Sequence, residues 1–294
     1  MKTPVFTGSA VALITPFTDS GIDFNKIAEL VEWQLENGTQ AIVACGTTAE
    51  TATMSTEEKK QVIRFIIEKT NGRVPVIAGT GSNCTQSALE MSLFAKQAGA
   101  DALLVVTPYY NKTTQDGLVA HYTYIADRVD LPLITYNVPS RTGLNILPAT
   151  NARLAAHPNI IGLKEANGNM ASVAETMHRA GKEYFVYSGS DELTVPMLSL
   201  GAKGVISVAA NLCPAAMVKL CKLWFDGKIA EAAALQVQMS ALIANLFSEV
   251  NPIPVKAAMN LLGMNVGIPR LPLVEMTAAN REKLAQSMKE FGLL

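Results

Sequence analysis

The sequence predicts an α/β protein, a (β/α)8 barrel of the TIM type followed by a C-terminal helical extension. Three observations carry this expectation. Eight short apolar runs recur at intervals of about 20 to 33 residues, with segments of helical spacing between them. Several runs are continuous rather than alternating, the pattern of parallel strands covered on both faces. The competing architecture, a doubly wound sheet, usually carries a glycine-rich fingerprint after its first strand, and Ile14-Thr15-Pro16-Phe17 is nothing of that kind.

The strand candidates lie at residues 11–14, 41–44, 74–78, 102–106, 131–136, 160–164, 184–187 and 204–207. Between the first two, residues 24–36 read as a helix with Ile27, Leu30, Val31 and Leu35 on one stripe and Asp23 as its cap. Residues 57–69 form a second, with Val62, Phe65 and Ile66 aligned; Ser55, three residues before Glu58, is set for a capping box. After residue 211 the alternation stops. Residues 213–225, 228–247, 255–262 and 278–291 read as helices, with Asn251-Pro252-Ile253-Pro254 as a break. The division is thus a barrel over residues 1–211 and a helical extension over 212–294, treated as one fold for want of a low-complexity linker.

Composition narrows the function. The chain has 294 residues, 49% of them hydrophobic and 17% charged, enough apolar material for a large core. The 24 Lys+Arg and 25 Asp+Glu nearly cancel and form no basic stripe, which argues against a nucleic-acid partner. No apolar run is long enough to span a membrane, and Met1-Lys2-Thr3-Pro4 leads into nothing with a signal-peptide layout. Cys45, Cys84, Cys213 and Cys221 show no C-x-x-C spacing, so reduced thiols in a cytoplasmic protein are expected.

In a barrel, chemistry gathers at the C-terminal ends of the strands. Those ends carry Thr15, Gly46-Thr47-Thr48, Gly79-Thr80-Gly81, Thr107-Pro108-Tyr109-Tyr110, Tyr136-Asn137, Lys164-Glu165, Ser188-Gly189-Ser190-Asp191 and Ser207, with Arg141 just beyond the fifth. Lys164 is the sharpest signal. Period-two alternation puts it on the face of Ile160 and Gly162; if that face is the lumen, a primary amine points into the barrel mouth. A free lysine, with a pKa near 10.4, is neutral in roughly one molecule in two thousand at pH 7; desolvation and a neighbouring cation would free the amine as a nucleophile for carbonyl groups. The alternative is a lysine that reaches solvent and pairs with Glu165.

Tyr136 ends the strand before Lys164, so the two side chains can converge. A phenol beside an amine can move the protons that Schiff-base chemistry requires. Thr47 and Thr48, after Gly46, offer hydroxyls and N–H groups to a carboxylate, or form an ordinary turn. Arg141 suits a substrate carboxylate, or is a solvated surface residue. Other motifs fail. Gly79-Thr80-Gly81 has Cys84 where a dinucleotide loop needs glycine, and Gly227-Lys228 is followed by Ile229 rather than the Ser or Thr of a phosphate loop. His121, His157 and His178 fall away from the strand ends, which argues against metal catalysis.

Together, Gly46-Thr47-Thr48-Ala49-Glu50, Pro108-Tyr109-Tyr110-Asn111-Lys112, Tyr136-Asn137-Val138-Pro139-Ser140-Arg141-Thr142-Gly143, Gly162-Leu163-Lys164-Glu165 and Asn251-Pro252-Ile253-Pro254-Val255-Lys256 resemble the dihydrodipicolinate synthase branch of the pyruvate-dependent class I aldolases. The resemblance covers nearly the whole chain. It implies that Lys164 forms a Schiff base with pyruvate and that the enamine adds to aspartate semialdehyde, giving 4-hydroxytetrahydrodipicolinate on the route to lysine and diaminopimelate. It needs no cofactor and no metal. By the same resemblance Tyr136 shuttles protons, linked to Thr48 and to a Tyr110 supplied by a neighbouring subunit. That implies a dimer, commonly paired into a homotetramer. Thr47 and Thr48 would hold the pyruvate carboxylate, Arg141 the carboxylate of the aldehyde substrate, and backbone groups at Gly189 and Ile206 would orient the lysine and its intermediates.

Two departures stand out. Ala49 replaces the usual glycine before Glu50. Thr56, Lys59 and Ser87 stand where lysine-inhibited members carry acidic or imidazole groups, although Asn83 and Tyr109 fit the regulated pattern; weak or absent feedback by lysine is expected. N-acetylneuraminate lyase and the keto-sugar-acid aldolases share the barrel and the lysine, but Thr47 and Arg141 favour aspartate semialdehyde. A non-catalytic flavin- or phosphate-binding barrel, suggested by Gly189, Gly201 and Gly204, is the reading from another class.

Overall fold

The computed structural model describes residues 1–294. Eight parallel strands close into a barrel in chain order: β1 Gly8–Ala12, β2 Ala41–Ala44, β3 Val76–Gly79, β4 Ala102–Val106, β5 Leu133–Asn137, β6 Ile160–Glu165, β7 Phe185–Ser188 and β8 Gly204–Ser207, with β8 pairing back onto β1. The first strand starts three residues before the apolar run that marks it, because Gly8, Ser9 and Ala10 pair in the ladder while carrying little apolar signal.

Each strand is buried on both faces, which explains the continuous apolar runs. One face packs inside the barrel, where Ala10, Val43, Ile77, Leu104, Ile134, Tyr136, Tyr187 and Ile206 form one cluster with Phe6. The other packs under the helices, where Val11, Ile42, Leu103, Leu133, Leu163 and Val205 join a cluster of 57 residues. Alternation fails at one point. Between Leu133 and Ile134 the register with β6 slips by a residue, so Ile161 is left unpaired and turns into the lumen. Ile160 therefore faces the helices, not the lumen as simple alternation from Lys164 requires.

The helices that bridge the strands start where polar caps stand. Asp23 accepts the N–H of Lys26 at the start of α1 (Phe24–Glu36), and Ser55 and Glu58 form a complete capping box on α2 (Thr56–Thr70). On α1 the inward stripe includes Gln34, whose amide donates to the Ala210 carbonyl at 2.7 Å and accepts from Thr39 at 2.6 Å, a buried polar group that a hydrophobic pattern does not register.

The tail packs on the barrel. Helix α3 (Pro214–Phe225) lies against β1, and Met217, Leu242, Met259 and Leu284 share the outer core with the strands. Two tail helices differ from expectation. The segment 228–247 is broken at Met239 into α4 (Ile229–Gln238) and α5 (Ser240–Leu246), bent by 49°, and the second piece turns Leu242, Ile243 and Leu246 inward. The helix expected from residue 255 begins earlier, as α6 (Ile253–Leu261), because Pro254 sits in the first turn, where its missing N–H costs nothing. The chain ends in α7 (Ala278–Glu290). No single helix is long and apolar enough to cross a membrane.

Candidate active site

Lys164 sits on the lumen face of β6, in register with Tyr136 on β5 and Tyr187 on β7. It is 5% exposed, and its Nζ lies 4.3 Å from the centroid of the Tyr136 ring. Burial brings its pKa down to about 8; Asp191 nearby opposes that shift and Arg141 adds to it. At pH 7 roughly a tenth of such amines are neutral, against one in two thousand for a free lysine. No carboxylate lies within ion-pair distance of the amine. Glu165, one residue on, faces the opposite side of the strand, where both of its oxygens accept from Asn137 Nδ2 at 3.0 Å. Burial raises its pKa to about 7. The rim pair between Lys164 and Glu165 is thus replaced by a lone amine in the lumen and a separately satisfied acid outside it.

The threonines follow β2 in a single turn of 3-10 helix, Thr47–Ala49, entered from Cys45 at φ +55° and left through Glu50 at φ +60°. The turn can bend this tightly over the barrel because residue 79 is glycine: a Cβ there would stand 2.1 Å from the Cys45 carbonyl oxygen. The two threonines then diverge. Burial pushes the Tyr136 phenol up, and Arg141 and, to a smaller degree, Thr47 hold it back. Thr48 is buried and accepts from Asn251 Nδ2 at 3.0 Å. Of the two, Thr47 is the one that acts on the phenol, where the family resemblance pointed to Thr48, whose hydroxyl is engaged by Asn251 instead.

Arg141 lies on the short helix Pro139–Thr142, at the exposed mouth, with Nη2 3.4 Å from the Asn251 carbonyl. Gly189 follows β7 directly beside the lysine: a Cβ there would meet Lys164 Cε at 3.1 Å and Ala166 Cβ at 2.9 Å. Ile206, on β8, is part of the lumen cluster. Tyr110 is not drawn into the site of its own chain. It is 92% exposed and held at φ +73°, an uncommon conformation for an aromatic residue.

A cavity of about 840 Å³ opens over these groups, with Thr47, Tyr136, Val138, Arg141 and Asn251 on its wall; Lys164 lies off that wall, on the inner side of the barrel. The same cavity extends past Thr56, Lys59, Ser87, Glu90 and Tyr109. Several groups here escaped sequence reasoning. Asp191 is buried, with Oδ2 accepting from the Val208 and Ala209 amides at 3.1 and 2.9 Å. It appeared only as one polar group in the seventh strand end. From the tail, Lys256 pairs with Glu50 at 2.5 Å in full burial, and the Arg270 amide donates to the other oxygen of that carboxylate at 2.8 Å. In the sequence, the segment Asn251-Pro252-Ile253-Pro254-Val255-Lys256, part of the family resemblance, is the signal for this tail contribution.

The sequence profile described as the Dihydrodipicolinate synthetase family matches residues 5–291. A Thermoanaerobacter protein named 4-hydroxy-tetrahydrodipicolinate synthase is 54% identical over 292 residues, covering 99% of this chain and 98% of its own. The crystal structure of the dihydrodipicolinate synthase from Thermotoga maritima superposes with a TM-score of 0.97 at 42% identity, covering 99% of this chain and all of that one. A dihydrodipicolinate synthase described as a monomeric variant superposes with a TM-score of 0.96 at 42% identity, covering 99% and 98%.

Proposed function

The chain belongs to the dihydrodipicolinate synthetase family, and we propose that it acts as its relatives are named to act, as a 4-hydroxy-tetrahydrodipicolinate synthase. It is a lyase of the class I aldolase type that condenses pyruvate with aspartate semialdehyde, on the route to diaminopimelate and lysine.

The observation that carries the residue assignments is the desolvated amine of Lys164 against the Tyr136 ring. The neutral amine attacks the keto carbon of pyruvate, and loss of water from the carbinolamine leaves a protonated Schiff base. Removal of a proton from the pyruvate methyl gives an enamine, whose carbon attacks the aldehyde of the second substrate. The α-amino group of that substrate then displaces Lys164 and closes the ring. Each step needs a proton delivered or taken, and Tyr136 is the group beside the amine able to do it. Thr47 orients the phenol and, with Thr48, receives the pyruvate carboxylate. Arg141, exposed at the mouth with one contact to the Asn251 carbonyl, receives the carboxylate of the aldehyde substrate, and its charge also helps to keep the amine neutral. Gly189 leaves the room in which the lysine moves between intermediates, and Ile206 lines the lumen on β8, two strands from the lysine. The bond between lysine and pyruvate is the reaction's own covalent intermediate, so no separate cofactor enters this scheme.

The exposed Tyr110, in its strained conformation, fits a residue that completes the proton path in a neighbouring copy, hence a homodimer, with the homotetramer as its paired form. Sedimentation velocity tests this: a species of two or four chains is expected, and a monomer at working concentration would remove Tyr110 from the mechanism. The four unbridged cysteines fit the reducing cytoplasm. The substrate assignment is tested by pyruvate consumption with aspartate semialdehyde against pyruvate release from N-acetylneuraminate. Turnover of the first and none of the second is expected; the reverse would move the chain to the sialic-acid branch.

A further inference from the structure

Asn251 lies outside the barrel, in the bend between α5 and α6, yet it touches both carboxylate-binding arms of the site. Its Nδ2 donates to Thr48 Oγ1 at 3.0 Å, and its backbone carbonyl accepts from Arg141 Nη2 at 3.4 Å. It is 6% exposed and stands on the cavity wall beside Thr47, Tyr136 and Arg141. The same stretch of tail fixes the far end of the threonine turn through Lys256 and Arg270, which hold Glu50. The turn is thus gripped from the tail at Thr48 and again two residues later.

We infer that Asn251 is a positioning residue for pyruvate: it sets the direction of the Thr48 hydroxyl. A threonine hydroxyl has one proton and can serve as donor or acceptor. When Asn251 donates to the oxygen, it occupies an acceptor position and leaves the O–H free to donate. An incoming carboxylate accepts hydrogen bonds and offers none, so it needs that O–H. Without Asn251 the hydroxyl is free to rotate onto a backbone carbonyl, and capture of the keto acid weakens although Lys164 is untouched. The C-terminal extension then belongs to the binding site through this one amide.

The inference rests on the Schiff-base reading, and its test separates the two. The readout is the pyruvate concentration that gives half-maximal borohydride trapping on the full-length protein, measured without the second substrate. Thr48→Val is expected to raise it by about 10- to 100-fold, the loss of a hydrogen bond to a charged group, and Asn251→Ala by about 3- to 10-fold. In the Thr48→Val background Asn251→Ala is expected to change it by less than about 2-fold, because the residue acts through that hydroxyl. Trapping at saturating pyruvate should stay at the wild-type level, which reports an intact fold and an intact Lys164. Should Asn251→Ala not fold, Asn251→Asp takes its place. It keeps the shape but turns the donor into an acceptor, and it must weaken capture more in the wild-type background than in the Thr48→Val background. The same fold-change in both backgrounds, or none in either, overturns the inference. Failure of the wild-type protein to trap pyruvate at all overturns the Schiff-base reading instead.

Discussion

Lys164 and Tyr136 are register partners on neighbouring strands, with the amine 4.3 Å from the centroid of the phenol ring. The ring walls the amine off from water, and it carries a hydroxyl on which Arg141 and Thr47 both act. Tyr136→Phe separates the two, since it keeps the ring and removes the proposed proton carrier. We expect kcat to fall by about 10²- to 10⁴-fold with the half-saturating pyruvate concentration little changed. Steady-state kinetics against both substrates checks this. A large rise in the pyruvate KM with kcat preserved would make Tyr136 a binding group instead.

Burial of Lys164 should be visible in stability. Its pKa falls from 10.5 to about 8 on folding, so between those values the unfolded chain binds the extra proton and stability rises with pH. Below pH 8 the native state carries a buried charge, a penalty on the order of 3 kcal/mol. Lys164→Met should therefore be more stable than the parent at pH 7, by an amount that shrinks as pH approaches 10.5. Urea unfolding at pH 7 and pH 10 measures it, and a destabilised variant at pH 7 would contradict the desolvated amine.

Gly189→Ala places a methyl group 3.1 Å from Lys164 Cε and 2.9 Å from Ala166 Cβ. The Ala166 Cβ and the Glu165 carbonyl oxygen, 3.0 Å away, cannot swing aside, so the end of the strand shifts and carries the lysine with it. We expect a folded protein whose rate of adduct formation falls by about 10- to 100-fold, the cost of displacing a reacting group by about an ångström. Stopped-flow trapping checks it; an unchanged rate would show that the lysine has room to spare.

The part of the cavity formed by Thr56, Ser87 and Tyr109 also carries Lys59, which has no ion-pair partner, whereas Lys60 is paired with Glu57 and Glu90 accepts from Gln86. A cationic amino acid entering there meets like charge. Activity should persist as lysine is added through the micromolar range, and Lys59→Glu should increase sensitivity. Inhibition of the parent enzyme at micromolar lysine would contradict this.

Much of the architecture is legible because strands covered on both faces leave continuous apolar runs, and the polar groups at their ends stand out by contrast. Lys164, Tyr136 and Arg141 could be found that way. What stayed hidden depends on geometry that a residue pattern does not encode. The bulge at Ile161 shifts the alternation by one residue and puts Ile160 on the other face. Of two adjacent threonines, Thr48 is engaged by Asn251 from the distant tail and Thr47 is the one that acts on the phenol. Asn251 bonds a residue 203 positions earlier, and Lys256 joins Glu50 across a similar gap, contacts that arise only once the tail has folded back over the barrel mouth.

The proposed covalent bond between Lys164 and pyruvate, on which every catalytic step above depends, is tested by borohydride reduction and peptide mass mapping. One modified peptide is expected, containing Lys164, with formation that rises with pH about a midpoint near 8. No adduct, or an adduct on another lysine with Lys164 unmodified, would contradict it.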